Sequence, residues 1–339
     1  MNKRLIIFTA VSLLWCFALG LFLCKQNEAI LPLQNTDFSA DVLLAQKKPT
    51  PVTILNFGDM MLDRNVRAQI NKNGAEYPFA QIKDFLQGND IVVVNAEGPF
   101  TYNKSITIGV KNGPLSFTFD PAILSTLKNL GFTLLGLANN HTLNFGVAGF
   151  KQSTTSIENA GLNWFGDPLN KKVYPYITEI RGEKIAFIGY HEFAYQGGDK
   201  ILQAIKDAKA ESDFVLVYPH WGEEYKMDFT QNQQEVAHAF IDAGADVVIG
   251  THPHVVEPIE VYKNKAIFYS LGNFIFDQAQ TGPTSRGLVV KVSLAHDYAT
   301  YDLFPISIIK QQASLAGAED RQAELDRIEV PSGTIILPR

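Results

Sequence analysis

Two histidines two residues apart, His252 and His254, lie in the run Gly250-Thr251-His252-Pro253-His254, directly after the apolar stretch 245–249. Neutral imidazole is the commonest nitrogen ligand of a protein-bound metal. If the backbone stays extended there, residues i and i+2 direct their side chains the same way. Gly250 permits a tight turn, and Pro253 stiffens the gap between the rings. The pair alone is equally compatible with a surface turn carrying two unrelated imidazoles. Its company shifts the weighing. Asp59 follows the β-prone run 52–57, Glu97 follows 90–95, Asn140 and His141 follow 132–138, and His220 follows 213–218. Asp59 by itself reads equally well as the N-cap of the next helix. Polar groups at five successive strand ends are harder to assign to caps and turns. Carboxylate, imidazole and amide in this mixture suit one or two divalent transition ions (Mn, Fe or Zn), with carboxylate as the bridge. Calcium, which takes oxygen throughout, fits poorly.

The intervening chain has to place these groups together. Apolar β-prone runs alternate with helical patterns at 77–86, 121–130, 146–160, 201–210 and 230–243, which argues a layered α/β fold. In open α/β sheets the ligand crevice lies beyond the carboxyl ends of the strands. Asp120-Pro121 reads as a helix start closed by Gly131, and Gly244 follows the end of the helix at 230–243. The runs 174–180 and 184–190, separated by Arg181-Gly182-Glu183, read as a hairpin opening a second sheet that 256–262, 266–270, 287–294 and 303–309 complete. Residues 101–119 read as a long loop, and 321–328 as a polar terminal helix. His191 sits at the edge of the candidate site, His238 reads as a structural helix residue, and His296 as a solvated turn residue.

Composition narrows the classes. The chain has 339 residues, 46% hydrophobic and 19% charged, with a formal net charge of -6, so it carries no basic footprint for nucleic acid. Both cysteines, Cys16 and Cys24, fall near the N-terminus, which excludes thiol catalysis, thiolate metal ligation and an intrachain disulfide in the remainder. Lys3 and Arg4 precede an uncharged, almost wholly apolar segment, residues 5–23, and Lys25 follows. As a helix it spans about 28 Å, close to the hydrocarbon thickness, and the flanking charges place the rest of the chain outside the cytoplasm. A cleaved signal peptide is the competing reading, but its apolar core is usually shorter and no small-x-small cleavage site follows. A lipoprotein site at Cys24 is disfavoured by the bulky Leu23. The expected organisation is an anchor at 1–25, a linker at 26–51, a folded domain at 52–310 and a C-terminal extension at 311–339. The expected location is a cell membrane, single-pass, with the domain extracytoplasmic.

Six ordered blocks carry a family resemblance: Gly58-Asp59-Met60-Met61-Leu62, Asn95-Ala96-Glu97-Gly98-Pro99, Ala138-Asn139-Asn140-His141, His220 to Tyr225, Gly250 to Val255, and Ser270-Leu271-Gly272-Asn273-Phe274. Over about residues 52–310 the chain resembles the CapA family of bacterial capsule proteins, associated with poly-γ-glutamate synthesis and export. That family is similar in turn to calcineurin-like metallophosphoesterases, which implies a four-layer α/β/β/α sandwich. The resemblance implies that Asp59 and His254 bind one metal, that Asn140, His220 and His252 bind a second, and that Glu97 bridges them. It casts His141 as general acid or positioner of a substrate oxyanion. Asp63, Asn95 and Asn139 would support the site, Asn273 would orient a ligand, and Glu223, Glu224 and Tyr225 would shape the substrate pocket. The sequence departs from the wider pattern at Met61, which stands where a first-strand histidine belongs, and at Glu97, which replaces a bridging Asp. Implied partners are the cell membrane through residues 5–23, other capsule-synthesis membrane proteins, and an anionic polymer or phosphoester substrate. A metal-dependent hydrolase with no capsule role is the alternative. A Ser-His-Asp hydrolase ranks low, because no nucleophile-elbow sequence occurs.

Overall fold

The structure, a computed structural model, describes residues 50–108, 110, 114–194, 198–278 and 281–339. The anchor expected at 1–25 lies outside the described residues, as does nearly all of the linker. No helix among the described residues is long and apolar enough to cross a membrane.

The strands run β1 (Val52–Met60), β2 (Ile91–Ala96), β3 (Leu134–Gly136), β4 (Asn163–Phe165), β5 (Tyr176–Ile180), β6 (Glu183–His191), β7 (Phe214–His220), β8 (Val247–Ile249), β9 (Ile259–Tyr262), β10 (Lys265–Phe268), β11 (Asn273–Ile275), β12 (Arg286–Leu294), β13 (Tyr298–Ile309), β14 (Gln312–Leu315) and β15 (Thr334–Pro338). They form two sheets. A nine-stranded sheet has the order β14-β13-β12-β1-β2-β3-β4, with β11 pairing β1 and β15 pairing β13. A six-stranded sheet has the order β5-β6-β7-β8-β10-β9. β1, β2, β3 and β4 are mutually parallel, as are β6, β7 and β8, so their carboxyl ends gather at one end of each sheet.

Strand alternation decides the layering. Val52 and Ile54 of β1 pack with Phe187, Leu216 and Ile249 of the second sheet, whereas Leu55 and Phe57 pack outward against Ile123, Leu127 and Ile157. The outer face of the six-stranded sheet, including Ile188, Val217 and Val248, is covered by Ile201, Ile205 and Phe240 from the helices Gly198–Glu211 and Gln231–Ala243. The order is therefore helices, sheet, sheet, helices. β1 and β7 are buried on both faces, which explains why neither shows a regular apolar–polar alternation. One polar link crosses the inner core: Tyr218 Oη donates to the Phe57 carbonyl at 2.8 Å.

The runs at 287–294 and 303–309, expected in the second sheet, lie instead in the nine-stranded sheet as β12 and β13, with β12 antiparallel to β1, and several boundaries move from the expected ones. The helix expected at 77–86 is a 3-10 turn at Tyr77–Phe79, with Pro78 inside it, followed by one helical turn at Lys83–Leu86. The helix expected from Pro121 spans Ile123–Asn129; Asp120 still caps locally, accepting the Ala122 N–H at 3.0 Å. Helix Gln231–Ala243 starts on a capping box, Thr230 with Gln233, and ends at Gly244 in a left-handed conformation (φ 117°). An unexpected helix, Arg64–Asn73, follows β1. Residues beyond 310 supply β14 and β15 to the nine-stranded sheet, and the terminal helix spans Ala318–Arg327.

Candidate metal centre

The site is built from loops leaving the carboxyl ends of β1, β2, β3, β7 and β8. Asp59, fully buried in β1, aligns with Asn95 of β2 on one side and Asn273 of β11 on the other. Its Oδ1 accepts Asn95 Nδ2 at 2.8 Å, and its Oδ2 accepts the His252 N–H at 3.0 Å. Asp59 is thus a strand residue, and the helix that follows is preceded by Asp63. The His-Pro-His loop is pinned from beneath. A Cβ on Gly250 would stand 1.8 Å from the Tyr269 carbonyl oxygen and 2.7 Å from Trp221 Nε1, so only glycine fits there. Both histidines then take left-handed conformations, His252 at φ 101° and His254 at φ 60°. The stiff extended gap expected from Pro253 is replaced by two strained residues, a condition that persists where surrounding contacts over-determine the backbone.

Two groups of ligand-type atoms result. In the first, His254 Nδ1 lies 3.2 Å from Asp59 Oδ2 and 3.0 Å from Asn273 Oδ1, while its Nε2 lies 3.7 Å from Glu97 Oε1. In the second, His220 Nε2 lies 3.1 Å from Asn140 Oδ1 and 3.1 Å from His252 Nδ1. His220 Nδ1 lies 3.1 Å from Thr251 Oγ1 and 3.2 Å from the donor Asn95 Nδ2. Accepting from Asn95 places the His220 proton on Nε2, which faces the Asn140 carbonyl oxygen and His252 Nδ1. Burial and neighbouring imidazoles hold His220 well below its usual pKa, so the ring is neutral, the state in which imidazole binds a metal.

Glu97 is the misfit of the site. It is fully buried, and among the described residues neither carboxylate oxygen has a hydrogen-bond partner. Burial, with a contribution from Asp59, pushes its pKa well above the ordinary range. Burial alone lowers His254, but Glu97 and Asp59 outweigh it and raise the imidazole to about 9. A proton on His254 thus occupies the electrostatic place that a metal would take, and metal binding would displace it.

His141 stands at the rim, its Nε2 3.8 Å from Glu97 Oε1 and its ring against Phe117 at 4.3 Å. Asn144 Oδ1 accepts from Phe117 N at 2.7 Å and lies 3.1 Å from His141 Nδ1, which fixes the proton on Nδ1 and leaves the Nε2 lone pair toward the site. Burial holds this imidazole at about 4, so it is neutral at physiological pH. Asn139 faces away from the ligand groups: its Nδ2 bonds Asn95 Oδ1 and the Ala96 carbonyl, and its Oδ1 accepts the N–H groups of His141 and Thr142. It is a bracket between β2 and the loop after β3.

Asn273 orients His254, and its Nδ2 donates to Gln278 Oε1 and the Thr284 carbonyl. Tyr225 donates its N–H to the Pro253 carbonyl at 2.8 Å, and its ring lies 6.1 Å from that of His254. Glu223 is exposed and lies in neither metal-capable group of side chains, whereas its neighbour Glu224 reaches His252 and His254. The sequence reading assigned Glu224 only to pocket shape; the His220–Tyr225 block was its signal. Asp63 braces the loop at 101–119 through Ser105 Oγ and the Thr118 N–H. Met61, in the place of a usual metal-binding histidine, is fully buried in the outer core, and its sulfur accepts the Asp63 N–H. His191 is buried, its Nδ1 bonded to the Pro168 carbonyl and its ring 6.0 Å from His220. His238 pairs with Glu260 and stacks on Tyr262. His296 is exposed beside Asp297.

With this geometry in place, the profile of the bacterial capsule synthesis protein PGA_cap matches residues 53–278. The chain belongs to that family. It is 31% identical to the capsule biosynthesis protein CapA of Bacillus anthracis, over 84% of this chain and 71% of the relative. It is 33% identical to the PGA biosynthesis protein CapA of Bacillus subtilis (strain 168), over 74% and 70%. All six sequence blocks fall within the matched span. Among solved structures, a phosphatase from Mycoplasma pneumoniae aligns at 16% identity with a TM-score of 0.46, covering 78% of this chain and 90% of that one, a likeness too low to carry an argument.

Proposed function

We propose that this protein acts in the synthesis or export of a poly-γ-glutamate capsule from the outer face of the bacterial membrane, and that a divalent-metal site at its strand ends is required for that role. Family membership supports the capsule assignment. The metal assignment rests on one observation: Glu97 is a fully buried carboxylate with no hydrogen-bond partner, faced by Asp59 and His254. Buried charges are normally paired or bound to metal. Asp59 and His254 would hold one ion, Asn140, His220 and His252 a second, and Glu97 would lie between them. Glu224 stands within reach of the two loop histidines. The donor set of imidazole and carboxylate favours Mn, Fe or Zn. When bound, such ions supply Lewis-acid polarisation of a substrate oxygen.

The chain's own residues supply the rest. His141 is neutral with its lone pair toward Glu97, so it acts first as a proton acceptor. It can serve as the general acid only with a proton it has itself taken, which makes it a carrier between an attacking group and a leaving group. Residues 5–23 would tether the domain to the membrane, beside other capsule-synthesis membrane proteins. A hydrolase with no capsule role is less well supported, because the family match spans the whole candidate site.

Complementation tests this reading. In a poly-γ-glutamate-producing strain lacking its own CapA, the wild-type chain restores surface polymer. His254→Ala, accumulated to the same level, does not. Full restoration by His254→Ala contradicts the metal requirement, and no restoration by the wild type contradicts the capsule role.

A further inference from the structure

Arg64 opens the helix Arg64–Asn73 in the left-handed region, at φ 52°. A long, Cβ-bearing side chain rarely takes this conformation, and such strain clusters where a side chain must be aimed. The guanidinium is held on three sides. Nε donates to Asp277 Oδ2 at 3.2 Å, and Nη2 lies 2.7 Å from Asp277 Oδ1. The Asp277 side chain is fully buried and also accepts the Asn65 N–H at 3.0 Å. The guanidinium carbon sits 5.8 Å from the Phe117 ring centre and 5.9 Å from that of Phe276. Those two rings in turn lean on the site: Phe117 on His141 at 4.3 Å, and Phe276 on His254 at 4.8 Å. Nη1 takes part in none of these contacts, and 28% of the side chain is open to solvent. Through Phe117 and Phe276 the guanidinium is thus one aromatic ring removed from His141 and His254.

A purely structural ion pair would explain the link to Asp277. It would not explain a strained backbone, two aromatic walls shared with the site histidines, and an Nη1 edge that makes no polar contact among the described residues. We propose that Arg64 is the anion-recognising residue of the site, and that its free edge binds the α-carboxylate of a γ-linked glutamyl unit whose chain amide lies at the metal centre. The inference rests on the polymer reading above. In a γ-linked chain every residue keeps a free α-carboxylate one carbon from the backbone nitrogen, so a fixed carboxylate receptor beside the centre sets the register of the chain. A guanidinium suits this role because its planar fork can engage one carboxylate on its Nε edge and another on its far edge. The flanking rings lower the local dielectric and strengthen the second contact. A lysine in the same place would have one point charge to divide between Asp277 and the substrate.

The test is binding of short poly-γ-glutamate oligomers to the full chain in detergent, loaded with Mn, by calorimetry. Arg64→Gln should weaken binding about tenfold or more, since a charge-assisted contact is lost. Arg64→Lys should recover only part of that loss. Oligomers with methyl-esterified α-carboxylates should bind the wild type weakly and be insensitive to Arg64→Gln. Arg64→Gln also leaves Asp277 buried without its partner, so the Arg64→Gln, Asp277→Asn double variant removes that strain and should show the same loss at wild-type metal content. Tight binding of native oligomer by the folded double variant overturns the inference, as does equal wild-type affinity for native and esterified oligomer. Either result leaves the polymer reading standing, provided that the wild type binds native oligomer. A wild type that binds neither oligomer overturns both.

Discussion

Replacing Glu97 by Gln should change stability in opposite directions with and without metal. In the metal-free protein, Glu97 is a fully buried carboxylate whose oxygens have no hydrogen-bond partner, and burial and Asp59 raise its pKa well above the usual value of 4.5. A group whose pKa is raised on folding opposes folding at pH 7, because the unfolded chain ionises freely while the folded one does not. An unsatisfied buried polar group costs about 1–3 kcal/mol, and more when charged. The interaction with His254 returns part of this, so Glu97→Gln should stabilise the metal-free protein by about 1–2 kcal/mol. For a domain of this size that is roughly a 3–6 °C rise in Tm. With metal the order reverses. An ion at one hundred times its Kd stabilises the wild type by about 2.7 kcal/mol, and a variant lacking the Glu97 carboxylate should gain little of this. Differential scanning calorimetry in chelator and then in excess Mn reads both arms. A variant that is less stable than wild type in chelator, yet gains as much from Mn, would refute the reasoning.

Three further outcomes follow from particular contacts. Gly250→Ala places a methyl 1.8 Å from the Tyr269 carbonyl oxygen; it should cost about 2 kcal/mol or more and lower metal content, because the loop carrying His252 and His254 must move. Glu257, buried beside Asp228 and Glu192 and bonded by Gln233, has its pKa raised to about 8 from 4.5. Between those values the folded state holds a proton that the unfolded state has lost, so wild-type stability falls as pH rises through the window. Glu257→Gln should flatten the pH 5–9 melting profile, gaining on the order of 2 kcal/mol over wild type at the alkaline end. Thr230→Ala removes the capping box of helix Gln231–Ala243 and should cost about 1 kcal/mol in urea denaturation, with metal content unchanged.

Much of the site was legible because its residues sit at predictable points. Buried parallel strands read as apolar runs, and polar residues follow at the carboxyl ends, where Asp59 and Glu97 meet His254, and Asn140 and His252 meet His220. Helix Gln231–Ala243 was legible from Thr230, Gln233 and Gly244, which act through local backbone bonds. What escaped depends on tertiary context. Helix Arg64–Asn73 starts without a side-chain cap and has one buried residue, Val66, so no apolar stripe marked it. The helical period at 77–86 was overridden around Pro78. Glu224 and Arg64 lie on exposed or irregular backbone, where charge alone says nothing about aim. The positive φ of His252 and His254, and the close approach of Gly250 to Tyr269, are tertiary features that the motif's spacing does not reveal.

Metal content of the purified full chain, by elemental analysis after exposure to Mn, Fe or Zn and desalting, tests the central claim most directly. The account predicts about one to two ions per chain, lost in the His252→Ala, His254→Ala double variant while the fold is retained. A wild-type protein that retains no ion under any of the three loadings, with its fold intact, would contradict it.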